Sequence, residues 1–386
     1  MKTIAVIFGG RTAEHDVSIV TAIASIIKPL ELTGEYRVEA VYITKDGSWY
    51  WDDKLKDISL YQGGGLEEFL RKAPKVHLLF DDGLTLVKSS QFAGRKMYRK
   101  IDIVFPSMHG TYGEDGALMG LLDMAGVPYV GCGVSASAVA MDKVLTKQAT
   151  LSEGIPSTPW MWFEAPELAR DPASVLGRIA GLKYPLFVKP ALLGSSIGIT
   201  RVADKSQLMN ALEVATHFDD KVIVEQAVPN LIEVTVPIIG NDQPRAAFLE
   251  QPLTTPGDFF DFNTKYMSEG GKKMGGAKQG SQGYSKIPAD LPKTLYDEAE
   301  ALALKVYRVV GCTGIARIDL LIDGKAQKVY LNEINPLPGS LYAHNWRQKG
   351  LSNHELVIEL IRLGLERHAA RGRLQTSFNT SFLKQF

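Results

Sequence analysis

The stretch RIDLLIDGKAQKVYLNEINPLPG, from Arg317 to Gly339, decides how the rest of this chain is interpreted. Two alternating runs, ARIDLLI and KVYLNEIN, flank the turn signal DGK, and this pattern predicts a β-hairpin. Folding about that turn places Asp319 roughly opposite Glu333. Because side chains alternate along a strand, Arg317 shares a face with Asp319, and Asn335 shares one with Glu333. The sequence therefore predicts a polar face that holds two carboxylates and one carboxamide.

This polar face has the chemistry of a divalent-cation site. Carboxylate and carboxamide oxygens are hard ligands of the kind that Mg²⁺ prefers, and Mg²⁺ commonly shares phosphate oxygens with its protein ligands. Asp319, Glu333 and Asn335 are therefore candidate metal ligands in a nucleotide site. The alternative is a cross-strand ion-pair surface on which Arg317 only neutralises Asp319.

The composition bounds the class of protein. At 386 residues the chain is long for one core, so two or three domains are expected. Hydrophobic residues make up 45% and charged residues 22%, and no apolar run approaches the roughly 18 residues that span a bilayer. The 43 basic and 43 acidic residues cancel, which disfavours attraction to nucleic acid or anionic lipid. We expect a cytoplasmic protein that binds neither nucleic acid nor membrane, with Cys132 and Cys312 as small core residues in a reducing compartment.

The first part of the chain, residues 1–130, has the pattern of an α/β domain. The apolar runs TIAVIF, VEAVYI, IDIVFP and PYVG alternate with helix-like segments at 14–28 and 115–125. Alternation of this kind is typical of a βαβ unit with a mostly parallel sheet.

Two further units are predicted at residues 131–227 and 228–386. The first begins with a helix from Ser135, and PLFVKP and KVIVEQAV then predict strands around a tight Gly/Ser turn, an antiparallel unit like a lid. The second begins with the strand EVTVPII, carries the hairpin, and has helical segments at about 291–310 and 352–371. A long Gly-rich stretch at about 257–286 is compatible with a mobile flap, and plain disorder is the alternative.

Two lysines precede the hairpin near the ends of predicted elements: Lys143 in MDKVLTK and Lys189 in PLFVKP. A lysine at the end of an apolar strand can meet phosphate oxygens as a point charge. The turn LLGSSIGI follows, and the backbone N–H groups of Gly194, Ser195 and Ser196 can fold over phosphates. Most Gly/Ser turns are plain hairpins, so the nucleotide site is indicated by the order of lysines, loop, acidic strand end and acidic hairpin.

Several blocks lie in one order along nearly the whole chain: GGRTAEHDVS, MHGTYGEDGALMG at 108–120, GCGVSASAVAMDK at 131–143, VKPALLGSSIGI, DFNTKY, ARIDLL and NEINPLPGS. In this order they resemble the D-alanine–D-alanine ligases of the ATP-grasp superfamily. The resemblance implies a fold of mixed α/β and α+β class, in which an N-terminal parallel-sheet βαβ domain precedes two α+β lobes that clamp ATP. A homodimer is a further expectation from the family.

The resemblance also implies roles at the nucleotide end of the site. Asp319, Glu333 and Asn335 would ligate two Mg²⁺ ions, with Mn²⁺ as an alternative. Glu225 to Val228 would form the adenine hinge, and Glu233 would bind the ribose hydroxyls. The implied ATP-binding residues are Lys143, Lys189, Ser195, Ser196, Glu225, Gln226, Ala227, Val228, Glu233 and Lys265.

At the amino-acid end, the resemblance implies that Glu14 holds the ammonium group of the first D-alanine. Ser195 and Tyr266 of the flap would close the site with it, and Arg317 and the N–H of Gly339 would stabilise the oxyanion. From the sequence alone, Glu14 is equally an exposed acid in the first turn of a helix, where it favours the helix dipole. The implied substrate-binding residues are Glu14, His109, Ser195, Arg317, Gly339, Ser340 and His344.

The chain departs from the family pattern on the lid and acceptor sides. Leu192 and Leu193 precede the loop Gly where charged or polar residues are usual. The segment PLPGSLYAHNW replaces a Ser-rich segment, and His344 stands near the expected acceptor-binding Ser. Tyr266 argues against use of D-lactate, because ligases of this family that use it carry His at that flap position.

The function implied is ATP-dependent ligation of two D-alanines through a D-alanyl phosphate, for peptidoglycan precursors. One alternative keeps the chemistry and changes the acceptor to D-serine, D-lactate or another amino acid. A second is a non-catalytic ATP-binding regulator on the same fold. A dinucleotide enzyme is disfavoured because GGRTAE lacks the G-x-G-x-x-G spacing.

Overall fold

The structure is a computed structural model that describes residues 1–89, 96–252, 285–377 and 379–385. Most of the predicted flap, about 257–286, lies outside the described residues, and so do Lys265 and Tyr266. The strands of the described part are, in chain order, β1 Lys2–Gly9, β2 Tyr36–Ile43, β3 Trp49–Trp51, β4 Val76–Leu79, β5 Leu84–Ser89, β6 Lys96–Ile101, β7 Ile103–Pro106, β8 Trp160–Glu164, β9 Leu186–Pro190, β10 Thr200–Val202, β11 Lys221–Gln226, β12 Leu231–Gly240, β13 Arg245–Ala246, β14 Gln251–Pro252, β15 Ser285–Lys286, β16 Gly314–Asp323 and β17 Lys328–Asn335.

The helices confirm the predicted segments and add others. The first is continuous from residue 15 to 33 and contains a π-helical part, Thr21–Ile27, between His15–Val20 and Lys28–Thr33. The other α-helices are Gly65–Lys72, Ala117–Met124, Val134–Met141, Lys143–Leu151, Ala165–Arg170, Pro172–Ile179, Leu208–Phe218, Lys293–Val310, Ala343–Gln348 and Asn353–Gly372. Short 3-10 turns lie at Asp53–Lys56, Ile58–Tyr61, Lys205–Gln207, Gly339–Tyr342 and Phe382–Gln385.

The N-terminal sheet has the order β3-β2-β1-β7, in which β1 pairs in parallel with both β2 and β7. The run from Ile4 to Phe8 is fully buried, as expected for a central parallel strand covered on both faces. The PYVG run is not a strand of this sheet; it contributes a single bridge, Tyr129 to Val104. The sequence reasoning also missed a separate antiparallel meander, β4-β5-β6.

The lid-like sheet has the order β10-β9-β11-β8 and is antiparallel throughout. The prediction that PLFVKP and KVIVEQAV follow each other around the Gly/Ser turn is wrong. The chain leaves the turn into β10, passes through the helix Leu208–Phe218, and only then enters β11, which pairs with β9 on its other edge. Ala211, Leu212 and Ala215 of that helix are fully buried, so a local turn prediction missed an element that this sheet needs for its core.

The C-terminal sheet has the order β13-β12-β16-β17 and contains the predicted hairpin. Asp319 pairs with Glu333 and Arg317 with Asn335, which confirms the predicted register. The opposite face, which includes Ile318, packs against the helix Lys293–Val310 in one apolar cluster. The polar face is therefore left to the site.

The N-terminal and C-terminal parts share a hydrophobic core. Residues of the first helix, such as Ile23 and Ile26, cluster with Leu337 and Leu341 beyond β17 and with Leu360 of the helix Asn353–Gly372. The lid-like sheet has its own cluster. No helix in the described ranges is long and apolar enough to cross a membrane. The domain boundaries at 130 and 227 stay predictions.

Candidate active site

The Gly/Ser loop is held between two predicted site residues. The Ser195 hydroxyl donates a hydrogen bond to the carboxylate of Glu14 at the start of the first helix. On the other side, Lys143 Nζ donates to the carbonyl oxygen of Leu193 at 2.7 Å. Ser195 and Ser196 both adopt left-handed backbone, with φ of 54° and 59°, which non-glycine residues adopt mainly at turns and functional sites. Glu14 is half-buried, so it is more than an exposed first-turn acid.

Lys143 also connects this loop to the acidic hairpin. It is the first residue of the helix Lys143–Leu151, which Asp142 caps by accepting from two backbone N–H groups. Its Nζ lies 3.5 Å from Glu333 Oε2. One cation therefore contacts both the loop predicted to cover phosphates and a predicted metal ligand.

The hairpin brings Arg317, Asp319 and Asn335 into one network. Arg317 Nε donates to Asp319 Oδ1 at 2.6 Å, and Asn335 Nδ2 donates to Asp319 Oδ2 at 3.1 Å. A register shift follows Asp319, so that Leu320 pairs with Leu331 and Asn332 becomes the extra residue of the bulge. Bulges re-aim side chains beside functional sites, and here the bulge places the oxygen of Asn332 3.3 Å from Lys189 Nζ.

This donor set fits a hard divalent cation by its chemistry. Asp319 and Glu333 face each other across the hairpin and supply carboxylates, and Asn335 supplies a carboxamide oxygen. Across the described ranges, no group of three His, Cys, Asp or Glu side chains has the arrangement of a metal site. A magnesium ion held by these three side chains would complete its coordination with oxygens from outside the chain, as ions at nucleotide phosphates do.

A buried charge cluster lies behind the hairpin. Glu225 on β11 contacts Lys147 Nζ at 2.6 Å and Lys189 Nζ at 2.7 Å, and it accepts from Thr158 Oγ1 at 3.2 Å. Burial alone raises the pKa of Glu225, but the charges of Lys147 and Lys189 outweigh it and hold that pKa far below its ordinary value. Sequence reasoning missed Lys147, although its position four residues after Lys143 puts both on one helical face.

The chain beyond β11, predicted as the adenine hinge, is anchored by its backbone. Gln226 N donates to Pro159 O at 3.0 Å, and Ala227 N donates to Pro185 O at 2.9 Å. Val228 is buried. Burial lowers the pKa of Lys189, but nearby carboxylates outweigh burial and raise that pKa above its ordinary value. Glu225 is the largest of these opposing charges, and Glu233, on β12, also contributes.

His109 and Ser340 meet at Thr21 of the π-helical part. His109 Nε2 lies 3.0 Å from Thr21 Oγ1, and the same oxygen accepts from Ser340 N at 3.1 Å. Burial lowers the pKa of His109, and the charge of Glu14 opposes that shift. Short π-helical segments occur often at functional sites, and this one joins a first-domain histidine to the segment after the hairpin.

Glu114 is a buried acid that the sequence reasoning passed over, although it stands in the quoted block MHGTYGEDG. Its Oε2 accepts from Gly110 N at 2.6 Å and its Oε1 from Leu337 N at 3.3 Å. Burial raises the pKa of Glu114 well above its ordinary value, and the charge of Glu14 adds to the shift. Glu114 therefore ties the His109 segment to the segment after Asn335.

Replacing Glu114 by Gln is expected to destabilise the protein by about 1–3 kcal/mol, the cost of leaving a buried donor without its acceptor. The amide has one acceptor oxygen where the carboxylate has two, so either Gly110 N or Leu337 N loses its partner. Urea unfolding followed by circular dichroism measures the effect. The exposed Glu153→Gln is the matched control, and an unchanged midpoint in Glu114→Gln would show that these two bonds stabilise nothing.

The segment after Gly339 is strained. Ser340, Leu341 and Tyr342 have φ of 51°, 53° and 50° in succession, although none is glycine. The Tyr342 ring lies under the Arg317 guanidinium, 5.2 Å away, and burial raises the pKa of Tyr342 to about 12. Three consecutive left-handed residues persist only where surrounding contacts impose them, and strain of this kind is commonest at functional sites.

His344 is held by an acid from another element. Its Nε2 lies 2.8 Å from Glu250 Oε2, and its ring centroid is 5.1 Å from that of Tyr342. Asn345 also reaches Glu250, at 3.4 Å. His344 and Arg317 therefore both contact Tyr342, in the segment predicted to bind the second amino acid.

The structure thus gathers most of the predicted residues, through the contacts above, around one cleft: Glu14, His109, Lys143, Lys189, Ser195, Arg317, Asp319, Glu333, Asn335, Ser340 and His344. A small cavity of about 20 Å³, lined by Glu114, Lys143, Gly194, Glu333 and Asn335 among others, lies between the Gly/Ser loop and the hairpin. Lys265 and Tyr266 lie outside the described residues, so their roles stay predictions.

Comparison with known proteins gives matches over nearly the whole chain. The family model described as D-ala D-ala ligase N-terminus matches residues 3–132, and the one described as D-ala D-ala ligase C-terminus matches residues 150–362. The D-alanine–D-alanine ligase of Acetivibrio thermocellus is 37% identical over 383 residues, covering 95% of this chain and 96% of its own.

Solved structures agree. The D-alanine-D-alanine ligase from Coxiella burnetii superposes with a TM-score of 0.78 at 27% identity, covering 96% of each chain. The VanG D-Ala:D-Ser ligase from Enterococcus faecalis superposes with a TM-score of 0.75 at 29% identity, covering 94% of this chain and 99% of its own.

Proposed function

The chain belongs to the D-alanine–D-alanine ligase family, a family of ATP-grasp enzymes, and from that membership we propose that it joins two D-alanine molecules at the expense of ATP. The product, D-alanyl-D-alanine, would serve peptidoglycan precursors. A cytoplasmic location and a homodimer belong to the same proposal, and sedimentation of the purified protein tests the dimer.

One observation carries the geometry of the proposal: Lys143 and Glu14 bond to the same loop, at Leu193 and at Ser195. If Lys143 meets the terminal phosphates and Glu14 the ammonium of the first amino acid, the carboxylate of that amino acid lies next to the phosphate it attacks. Such placement converts an encounter of two substrates into a step within one complex.

The first step transfers the γ-phosphoryl group to the carboxylate of the first D-alanine, giving a D-alanyl phosphate and ADP. Lys143 and Lys189 would hold the phosphates, and Asp319, Glu333 and Asn335 would hold Mg²⁺. Bound there, Mg²⁺ would neutralise charge on the phosphate oxygens. Ser195 would keep Glu14 oriented towards the substrate ammonium.

In the second step, the amine of the second D-alanine attacks the acyl carbon and inorganic phosphate leaves. Arg317 and the N–H of Gly339 would stabilise the oxyanion, and Asp319 and Tyr342 hold the guanidinium in place for that. His344 would contact the carboxylate of the second amino acid. By the same resemblance, Tyr266 would close the site against water and Lys265 would bind ATP.

The first experiment is ADP release with ATP, Mg²⁺ and D-alanine, followed by mass spectrometry of the product. D-Alanyl-D-alanine is expected. ADP release that depends on a different acceptor, from a panel of D-serine, D-lactate and L-amino acids, would transfer the proposal to that acceptor.

D-Serine is the second candidate acceptor, for a specific reason. Where the family usually has a Ser-rich segment, this chain has His344 bound to Glu250, and a superposable neighbour is a D-Ala:D-Ser ligase. The acceptor panel decides between D-alanine and D-serine.

Replacing His344 by Gln is expected to raise the KM for the second amino acid by about tenfold, the scale of one lost charge-assisted contact, and to leave the KM for ATP unchanged. Gln keeps a donor for the buried Glu250, so the fold should survive. Initial rates measured over a range of D-alanine concentrations, and separately over a range of ATP concentrations, give the KM for the second amino acid and the KM for ATP. An unchanged acceptor KM would remove His344 from the acceptor site.

A further inference from the structure

Lys147 is a fully buried cation with no role in the reaction described so far. It lies one helical turn beyond Lys143, and 1% of its side chain is exposed. Its Nζ is 2.6 Å from Glu225 Oε1. Burial lowers the pKa of Lys147, and the charge of Glu225 opposes that shift. A buried lysine is costly, and its position calls for an explanation beyond packing.

The same carboxylate also holds Lys189, at 2.7 Å. Glu225 and Lys189 are both buried, so water screens their attraction poorly. With Glu225 alone as its partner, the charge of Lys189 would be cancelled, and the pair would attract a phosphate only weakly. Lys147 alters this balance, because a second lysine on the same carboxylate adds one positive charge that offsets Glu225, while the charges of Glu333 and Glu233 also act on Lys189.

Lys189 is also oriented towards the hairpin that carries the candidate metal ligands. Its ammonium group has three donors, and the described residues take two of them, Glu225 at 2.7 Å and Asn332 at 3.3 Å. Asn332 is the bulge residue beside Glu333, so Lys189 points from the buried cluster towards the hairpin. Lys147 contacts Glu225 at 2.6 Å, and the charges of Lys189 and Glu333 also act on it.

We propose that Lys147 is a positioning residue that neutralises Glu225, so that Glu225 fixes Lys189 in place without cancelling the charge that Lys189 presents to the phosphates of ATP. The inference rests on the proposed ATP site and adds a residue to it. In the bound enzyme, Glu225 works as an orienting acceptor, Lys147 supplies the compensating charge, and Lys189 contacts the nucleotide.

The test is nucleotide binding, measured by isothermal titration calorimetry with a non-hydrolysable ATP analogue and Mg²⁺, and separately with adenosine. Lys147→Met is expected to weaken binding of the analogue by about ten- to a hundredfold, the range for one unit charge several ångströms away at intermediate dielectric. Binding of adenosine, which has no phosphate, should stay within about threefold. Lys147→Arg keeps the charge and is expected to bind the analogue within about tenfold of the parent.

The double variant Lys147→Met/Glu225→Gln gives the deciding result. Glu225→Gln keeps an acceptor for Lys189 but removes the charge that cancels it, so the double variant should bind the analogue at least about tenfold more tightly than Lys147→Met alone. No recovery in the double variant, or an equal loss for adenosine and the analogue, would show that Lys147 only supports packing and would overturn the proposal. Thermal unfolding of each variant checks that the fold is retained.

This test is independent of the ligation reaction. If the binding pattern holds but no D-alanyl-D-alanine forms, the proposed reaction fails and the role of Lys147 stands. If the product forms and the double variant shows no recovery, only the role of Lys147 fails.

Discussion

Replacing Glu333 by Gln should lower kcat with ATP and D-alanine by about a thousandfold or more, equivalent to about 4 kcal/mol of transition-state stabilisation. Glu333 pairs with Asp319 across the hairpin, and its Oε2 lies 3.5 Å from Lys143. Gln keeps the size of the side chain but removes one of the two carboxylates that would hold Mg²⁺ and leaves Lys143 without that counter-charge. Initial rates over a series of Mg²⁺ concentrations measure the change.

The Mg²⁺ series separates a metal ligand from a packing residue. If Glu333 binds the ion, the concentration of Mg²⁺ for half-maximal rate rises in the variant. Glu298→Gln, on the exposed face of the helix Lys293–Val310, is the matched control and should behave as the parent. Full activity of Glu333→Gln at the parent's Mg²⁺ requirement would remove the metal assignment from the hairpin.

Replacing Arg317 by Lys should lower kcat by about a hundred- to a thousandfold, the range found when one preorganised oxyanion donor is lost. Two contacts fix the orientation of the Arg317 guanidinium plane: the hydrogen bond from its Nε to Asp319 Oδ1 at 2.6 Å, and the ring of Tyr342 beneath it. Lysine keeps the charge, so Asp319 is not left buried without a cation. The lysine side chain lacks the planar guanidinium, which can hold Asp319 with some of its N–H groups and offer another N–H to the substrate.

Comparing the KM for ATP with the rate at saturation shows which step Arg317→Lys affects. The KM for ATP should change little, because Arg317 is assigned to the acyl oxygen and Lys143 and Lys189 to the phosphates. Arg308→Lys, exposed on the helix Lys293–Val310, is the control. Loss of ATP binding with an unchanged rate at saturation would place Arg317 at the nucleotide instead.

The hairpin could be predicted from sequence because its signals are local. Alternation along ARIDLLI and KVYLNEIN and the turn DGK specify which faces are polar, and the observed pairing of Asp319 with Glu333 follows from that register. The β1–β2 pair and the long helices were predictable for the same reason: a buried face imposes a period on neighbouring residues. The helix Leu208–Phe218 was missed because a Gly/Ser turn between two apolar runs also has the local pattern of a simple hairpin.

The candidate site was predictable by residue type and order, but not by contact. Lys143 and Lys189 stood out because charges at the ends of apolar elements are conspicuous in a sequence. Lys147 and Glu114 did not, because a buried charged group is recognised by its ionic or hydrogen-bonding partner, and those partners, Glu225 and the backbone N–H of Leu337, lie far along the chain.

The sequence by itself determined the hairpin with its polar face, the β1–β2 pair, the long helices and the family blocks, because side-chain periodicity and turn chemistry act over a few residues. Only the tertiary structure decided that Glu14 and Lys143 hold one loop, that Asn332 turns towards Lys189 at a bulge, and that two lysines share Glu225. Those contacts join residues dozens to hundreds of positions apart, and their energies depend on distance and burial, which only the packed chain defines.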